Sequence, residues 1–495
     1  MRKTYVFIFY RFSFSLPHTL CATHKKQFPS NIIKTIPKRT MYKGYWLVAD
    51  MDGTLVPTPS RAGGQYFSFS ESVRHFANAQ VLSATVLAGR RRGPSPYKST
   101  LPYLREFIGQ GGSLCVVSTA GRRLLRQVYA DLALALFPDY PPGRTAASAA
   151  PGRLLLCGFT GAVLFRSRPP AAAYHTAAAM AAGPVLPIGA GLEEWVDYRR
   201  EGADGASTLM SPAQCDVAAA EGRSAVVRLF EHAAAEGGEP AAFFSAVLSR
   251  KYVAPYTSLL QRLRAEVPPS AAACFDAAPA LRLDPCLSAH GYYLRETRDA
   301  LVDCQRVPGA DGAVAADAPC AQVTVMGIPA CLFDAVYPPR RGAAPSLGCC
   351  AACEARRRAA TERIEAAGLV VKSQPNSVVL HRRGMDKGTC VRWLLRHREA
   401  LDFSLERALA LGDVPATVDR PLAAFAPMRF VSLSPMADDG VHEGEGGDAE
   451  GDVSDAALRR NLCHVGGEEE GTACFLEQLL AACGGGSRHA GKLVF

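Results

Sequence analysis

Apolar and β-branched residues gather along this chain in short continuous runs, at 45–49, 113–117, 154–157, 408–411 and 429–433, and each run stops at small or polar residues. Runs of this length without polar alternation suit the central strands of a parallel sheet, which are covered on both faces. Between them lie stretches of helical period, such as 122–136 and 390–398. Strand and helix in alternation imply the α/β class, a Rossmann-like doubly wound parallel sheet with helices on both faces.

The third and fourth runs are separated by about 250 residues, far more than the dozen or so that one crossover needs. A large inserted α/β domain is therefore expected, from 167, where SRPPAAA opens an Ala/Pro-rich segment, to 383. Inside it the period predicts helices at 224–235, 258–266 and 356–367 and strands at 322–326 and 377–381, with Pro/Gly/Ala-rich loops at 308–319 and 338–346. The core then comprises 41–166 and 384–495. Its last element is the amphipathic helix GTACFLEQLLAAC, and before it the acidic segment 437–456 reads as a disordered loop.

Residues 1–40 differ from the rest: they hold eight Lys or Arg and no acid. A secretory signal would need a longer apolar stretch than TYVFIFY, which Arg11 ends. An organellar transit peptide fits the missing acids, and a leader ahead of a working start at Met41 fits the abrupt change of composition. The last reading is preferred, with a cytoplasmic location, or an organellar one if the segment is a targeting signal.

Composition narrows the function. At 495 residues and 48% hydrophobic content the chain can bury the cores of two domains. No apolar run reaches the roughly 18 residues of a membrane helix, so no membrane partner is expected. The net charge of +9 is spread in short clusters without interleaved aromatics, so no nucleic-acid partner is expected either. The 16 cysteines are too sparse for a disulfide scaffold. Cys350 and Cys353 have C-x-x-C spacing but no second pair to complete a zinc site, and read as free thiols in a loop.

The chemistry sits at the end of the first run, which reads WLVADMDGT. Ligands of an open parallel sheet bind outside the carboxyl ends of its strands. Asp50 and Asp52 stand there on the same side of an extended chain. The two like charges need a cation or a substrate between them. Such a pair suits phosphoryl transfer: Asp50 as nucleophile, Asp52 as the acid that protonates the leaving alcohol and the base that activates water. A hard divalent cation, Mg²⁺ best, would offset the charge where carboxylates meet phosphate oxygens.

Four motifs resemble those of the haloacid dehalogenase superfamily of phosphatases, in the order of that family. D-M-D-G-T at 50–54 resembles the first, S-L-C-V-V-S-T-A-G-R the second, G-M-D-K-G-T the third and A-L-A-L-G-D the fourth. The resemblance implies an aspartyl-phosphate intermediate on Asp50, general acid/base work by Asp52, and phosphate binding by Thr119, with Ser118 as the alternative, and by Lys387. It implies Mg²⁺ held by Asp50, the backbone carbonyl of Asp52 and Asp413. The insert takes the place of the mixed α/β cap of sucrose-phosphate, trehalose-phosphate and Cof-like sugar phosphatases, so a small phosphorylated substrate, a sugar phosphate, is expected. LLLCGFTGAVLF resembles the strand and turn that precede that cap.

Two departures stand out. Relatives read T-G-R where this chain reads S-T-A-G-R, one residue longer. They also place a second acid four residues after the first in the fourth motif, where this chain has Thr417 and its next acid is Asp419. Asp419 then serves as a group behind the ligands, or the metal leans on water. A phosphosugar mutase with the same aspartates remains an alternative, as does a silent binding protein of the same fold. His381 and His397 read as solvent-facing in the commoner case; Arg122 is an even choice between phosphate contact and helix start.

Overall fold

The computed structural model describes residues 42–58, 68–76, 97–121, 124, 131–132, 153–167, 192–201, 207–235, 302–308, 314–326, 333–337, 351–374, 377–415, 417–434 and 455–484. The expected leader, the helix at 258–266, the loop at 338–346, Arg122 and Cys350 lie outside the described residues, as does the acidic segment apart from its last two residues. Those two open a helix, Asp455–Asn461.

The strands run in chain order β1 Trp46–Ala49, β2 Ser113–Val117, β3 Leu154–Gly158, β4 Val163–Ser167, β5 Leu192–Glu194, β6 Val302–Arg306, β7 Cys320–Met326, β8 Leu369–Gln374, β9 Ser377–Arg382, β10 Ala408–Gly412, β11 Arg429–Ser432 and β12 Leu462–His464. Eight of them make the main sheet, in the order β12-β11-β10-β1-β2-β3-β4-β5. All pairs from β12 to β3 are parallel, and β4 and β5 add an antiparallel edge. Each of the five apolar runs is one of the parallel strands, to within a residue at each end.

Those runs are apolar throughout because each strand is covered twice. On β1, Leu47 and Ala49 join one core with Leu104, Phe107 and Leu476. Trp46 and Val48 join the other, with Cys390, Trp393 and Leu394. Strand β12 went unread because its three residues, LCH, carry too little pattern; they pair with β11 at the edge. Strand β5 comes from within the segment expected to form the insert, yet pairs with β4 in the main sheet.

The second sheet, β6-β7-β9-β8, is antiparallel throughout. Its register puts Gln305 opposite Gln322, Gln322 opposite His381, and Lys372 opposite Val379. Asp303, Gln305, Gln322, Thr324, His381, Lys372 and Gln374 therefore share one face. The other face carries Val323, Val325, Val378 and Leu380, all buried, on the side of the helices Pro212–Ala235 and Ala351–Ala366. Strands β6 and β8 went unread because half their positions are polar. Among the described residues no helix is long and apolar enough to cross a membrane.

Candidate active site

Strand β1 lies at the middle of the main sheet, and Asp50 is the first residue past its end. The Asp50 N–H still donates to the Leu411 carbonyl of β10, at 2.9 Å, so the ladder fixes the backbone that carries the carboxylate. The chain then turns tightly: Leu55 and Val56 N–H both donate to the Met51 carbonyl, and Gly53 N–H donates to Val56 O at 2.7 Å. Gly53 has φ +75°, and a Cβ there would collide with Asp413 Oδ2. Glycine at this position is what lets the first and fourth motifs meet.

Lys387 precedes the helix Gly388–Arg396, whose start is tied by a reciprocal pair: Thr389 N–H donates to Asp386 Oδ1 (2.8 Å) and Asp386 N–H to Thr389 Oγ1 (3.1 Å). From there the Lys387 ammonium, 2% exposed, reaches Asp50 Oδ1 at 2.7 Å and Asp419 Oδ1 at 2.6 Å. Asp419 is fully buried, and its Oδ2 accepts the Val414 N–H at 3.0 Å. Carboxylate oxygens of Asp50, Asp413 and Asp419 all lie within 4.8 Å of one another.

Asp419, expected as a group behind the ligands or replaced by water, thus stands beside Asp50 and Asp413. After Asp413 the chain makes a turn in which Thr417 and Asp419 N–H both donate to Val414 O, at 3.2 and 3.0 Å. That turn returns Asp419 to the strand end.

One ammonium faces three carboxylates, and the titration follows. Burial pushes the Asp50 carboxyl up to about 7, with Lys387 opposing and Asp419 adding to the rise. Burial, then Asp50 and Asp419, raise Asp413 to about 9. Burial opposes charge on Lys387 too, but its two carboxylate partners outweigh it and hold the ammonium above the ordinary lysine value. Three hard oxygen donors carrying unbalanced negative charge fit a divalent cation of the Mg²⁺ type.

The second motif is shared between the two sheets. Ser118 follows β2 directly, is buried, and its hydroxyl accepts the Ala120 N–H at 3.0 Å. The Thr119 hydroxyl turns the other way and donates to Gln374 Oε1 of the second sheet, at 3.3 Å. Asp52, half-buried, pairs with Val56 as an isolated bridge within the turn. His381 is fully buried rather than solvent-facing: it stands on the polar face of the second sheet, burial and the nearby Lys372 charge lower its pKa to about 3, and its Nε2 finds no partner among the described residues. His397 stacks on Trp393, with ring centroids 4.1 Å apart, and lies 3.2 Å from Glu201.

Contacts between the sheets were not foreseen. Gln322 Nε2 donates to the Thr119 carbonyl at 2.9 Å, and the Thr160 hydroxyl donates to Gln322 Oε1 at 2.8 Å. The alternation of QVTV at 322–325 shows that one face of this strand is polar, but not what that face meets.

No family model matches the sequence, and no curated protein does. Solved structures similar to this chain include a haloacid dehalogenase-like hydrolase from B. subtilis, at 13% identity and TM-score 0.33, covering 88% of this chain and 99% of that one. A phosphatase of the haloalkanoate (HAD) enzyme superfamily from Bacteroides thetaiotaomicron is 10% identical with TM-score 0.31, over 92% of this chain and 99% of its own. A HAD subclass IIB sugar phosphatase is 10% identical with TM-score 0.31, over 88% and 98%. Likeness this distant carries no weight for the chemistry, which rests on the side chains themselves.

Proposed function

We propose that this chain is a Mg²⁺-dependent phosphomonoester hydrolase of the haloacid dehalogenase superfamily, acting on a small sugar phosphate. One observation carries the reading: the Asp50 carboxylate at a central strand end, 2.7 Å from a buried lysine and grouped with Asp413 and Asp419.

Asp50 is the nucleophile. Its ionised carboxylate attacks phosphorus, an O–P bond forms, and the bond to the leaving alcohol oxygen breaks. Asp52 gives that oxygen a proton, then takes one from the water that cleaves the aspartyl phosphate, releasing inorganic phosphate and restoring Asp50. Lys387 favours the ionised form of Asp50 against its burial and balances phosphoryl oxygens as they approach. Ser118 is the better placed of the two second-motif hydroxyls for the phosphoryl group, because Thr119 is engaged by Gln374. Asp50, Asp413, Asp419 and the Asp52 carbonyl would hold Mg²⁺, which when bound supplies positive charge for the phosphate and the carboxylates.

The substrate class is inferred from the second sheet. Beside the fully engaged Gln322, the side chains of Gln305, Thr324 and Gln374 offer neutral donors and acceptors on the face whose Gln322 and Gln374 meet the second motif. Such groups suit the hydroxyls of a sugar.

The test is phosphate release from a panel of sugar phosphates and p-nitrophenyl phosphate, with Mg²⁺ and with chelator, by the parent and by Asp50→Asn. Chelator-sensitive release that Asp50→Asn abolishes supports the reading. Equal release by Asp50→Asn overturns it, since an amide cannot attack phosphorus.

A further inference from the structure

We infer that Gln322 is a positioning residue, which transmits docking of the inserted sheet onto the main sheet to the second-motif turn at 118–120. The inference rests on the phosphatase reading for its catalytic consequence, but on geometry alone for the coupling.

Gln322 stands on β7 with 1% of its surface exposed, and its amide is used in full. Nε2 donates to the Thr119 carbonyl at 2.9 Å and to Gln305 Oε1 at 2.9 Å, while Oε1 accepts the Thr160 hydroxyl at 2.8 Å. Exchanging its oxygen and nitrogen would set the amide oxygen against the Thr119 carbonyl, which can only accept, so the orientation is determined. Thr119 is clasped on both sides, its carbonyl by Gln322 and its hydroxyl by Gln374.

The partners of Gln322 in the main sheet belong to one interlocked pair of turns. Thr160 N–H donates to the Ser118 carbonyl and Phe159 N–H to the Ala120 carbonyl, both at 3.2 Å. Phe159 and Thr160 have φ +55° and +57°, a left-handed conformation that costs a side-chain-bearing residue, a β-branched one above all. Such a pair persists only where its surroundings over-determine it. Here they do: the Tyr198 hydroxyl donates to the Gly161 carbonyl at 2.5 Å, Thr208 to the Ala162 carbonyl at 2.6 Å, and Gln322 accepts from Thr160. A Cβ on Gly161 would collide with the Asp386 carbonyl, so the same turn abuts the residue before Lys387.

Docking of the insert thus reaches the Thr119 carbonyl directly and the Ser118 carbonyl through Thr160. When Gln322 withdraws, Thr160 loses its acceptor and Thr119 a donor, and the second-motif turn is held less well. Misplacing a positioned group by a fraction of an ångström to 1 Å lowers turnover more than binding.

Gln322→Glu keeps the shape and the acceptor for Thr160 but can donate to neither carbonyl. It should lower kcat by about tenfold or more, with KM for p-nitrophenyl phosphate moving less than about threefold. Gln322→Met, which removes all three bonds without adding charge, should do the same; Thr160→Val should do so in part, and Thr160→Ser should retain activity. Hydrogen exchange of peptides spanning 113–121 and 153–165 is the second measurement, and should quicken in Gln322→Glu and Gln322→Met while the main-sheet strand 408–412 keeps its rate. A parent that hydrolyses nothing sinks the phosphatase reading, while the exchange arm still decides the coupling. Unchanged exchange in both Gln322 variants, or unchanged kcat in both when the parent is active, overturns the inference.

Discussion

Gly412 and Asp419 share one small space: a Cβ on Gly412 would stand 2.5 Å from Asp419 Oδ2, so the bare glycine is what lets that carboxylate lie against the end of β10. Gly412→Ala should therefore displace Asp419 and lower Mg²⁺ affinity, and Asp419→Asn should lower it by at least the roughly 10- to 100-fold typical of losing a group behind the ligands. Thr417→Asp, which adds the acid at the family's usual place, should rescue neither. Mg²⁺ titration of activity checks all three, and rescue by Thr417→Asp would show that Asp419 does not fill that place.

Ser118 and Thr119 separate by their partners, since Ser118 holds the turn from inside and Thr119 faces Gln374. Ser118→Ala should cost more in kcat than Thr119→Ala, by about tenfold. Kinetics on p-nitrophenyl phosphate decide it, and the reverse order would return the phosphate contact to Thr119.

The carboxylates of the site make metal-free stability depend on pH. Asp50 and Asp413 have folded-state values raised to about 7 and about 9, so the folded state holds protons that the unfolded state releases. Their contribution is full below the ordinary aspartate value near 4 and is lost as pH rises through 7 to 9. Mg²⁺ binds the ionised forms, so the rise in Tm on adding Mg²⁺ should be larger at pH 8 than at pH 6. Thermal unfolding at both values, with and without Mg²⁺, measures this, and Asp413→Asn should shrink the difference.

His381 acts in the opposite pH range. Its folded value, lowered to about 3 by burial and the Lys372 charge, lies below the ordinary value near 6.5. Below pH 6.5 the unfolded chain binds a proton that the folded chain refuses, so stability falls by about 1.4 kcal/mol per pH unit from this residue. His381→Asn retains a donor for the Arg382 carbonyl, which the ring Nδ1 serves at 2.9 Å, and should remove that part of the acid slope. Urea unfolding at pH 7 and pH 5 gives the comparison, and equal slopes would show that His381 is protonated when folded.

The parallel strands were legible because a central strand is covered on both faces, which leaves an unbroken apolar run such as WLVA or SLCVV. The D-x-D-G-T motif was legible for a related reason: two carboxylates and a glycine at the end of such a run have few structural uses. What the amino-acid order alone determined is therefore the five parallel central strands of the main sheet and the positions of its aspartates and Lys387, all of them local in the chain. Contacts that depend on distant segments meeting were decided only by the tertiary structure. Asp419 stands six residues past Asp413 in the chain, and only the turn after Asp413 brings it beside Asp50 and Asp413. The Thr119 hydroxyl meets Gln374, 255 residues away, which no local pattern shows. The polar face of the second sheet looks like solvent-exposed strand, because alternation records that one side is polar without recording whether water or another sheet lies against it.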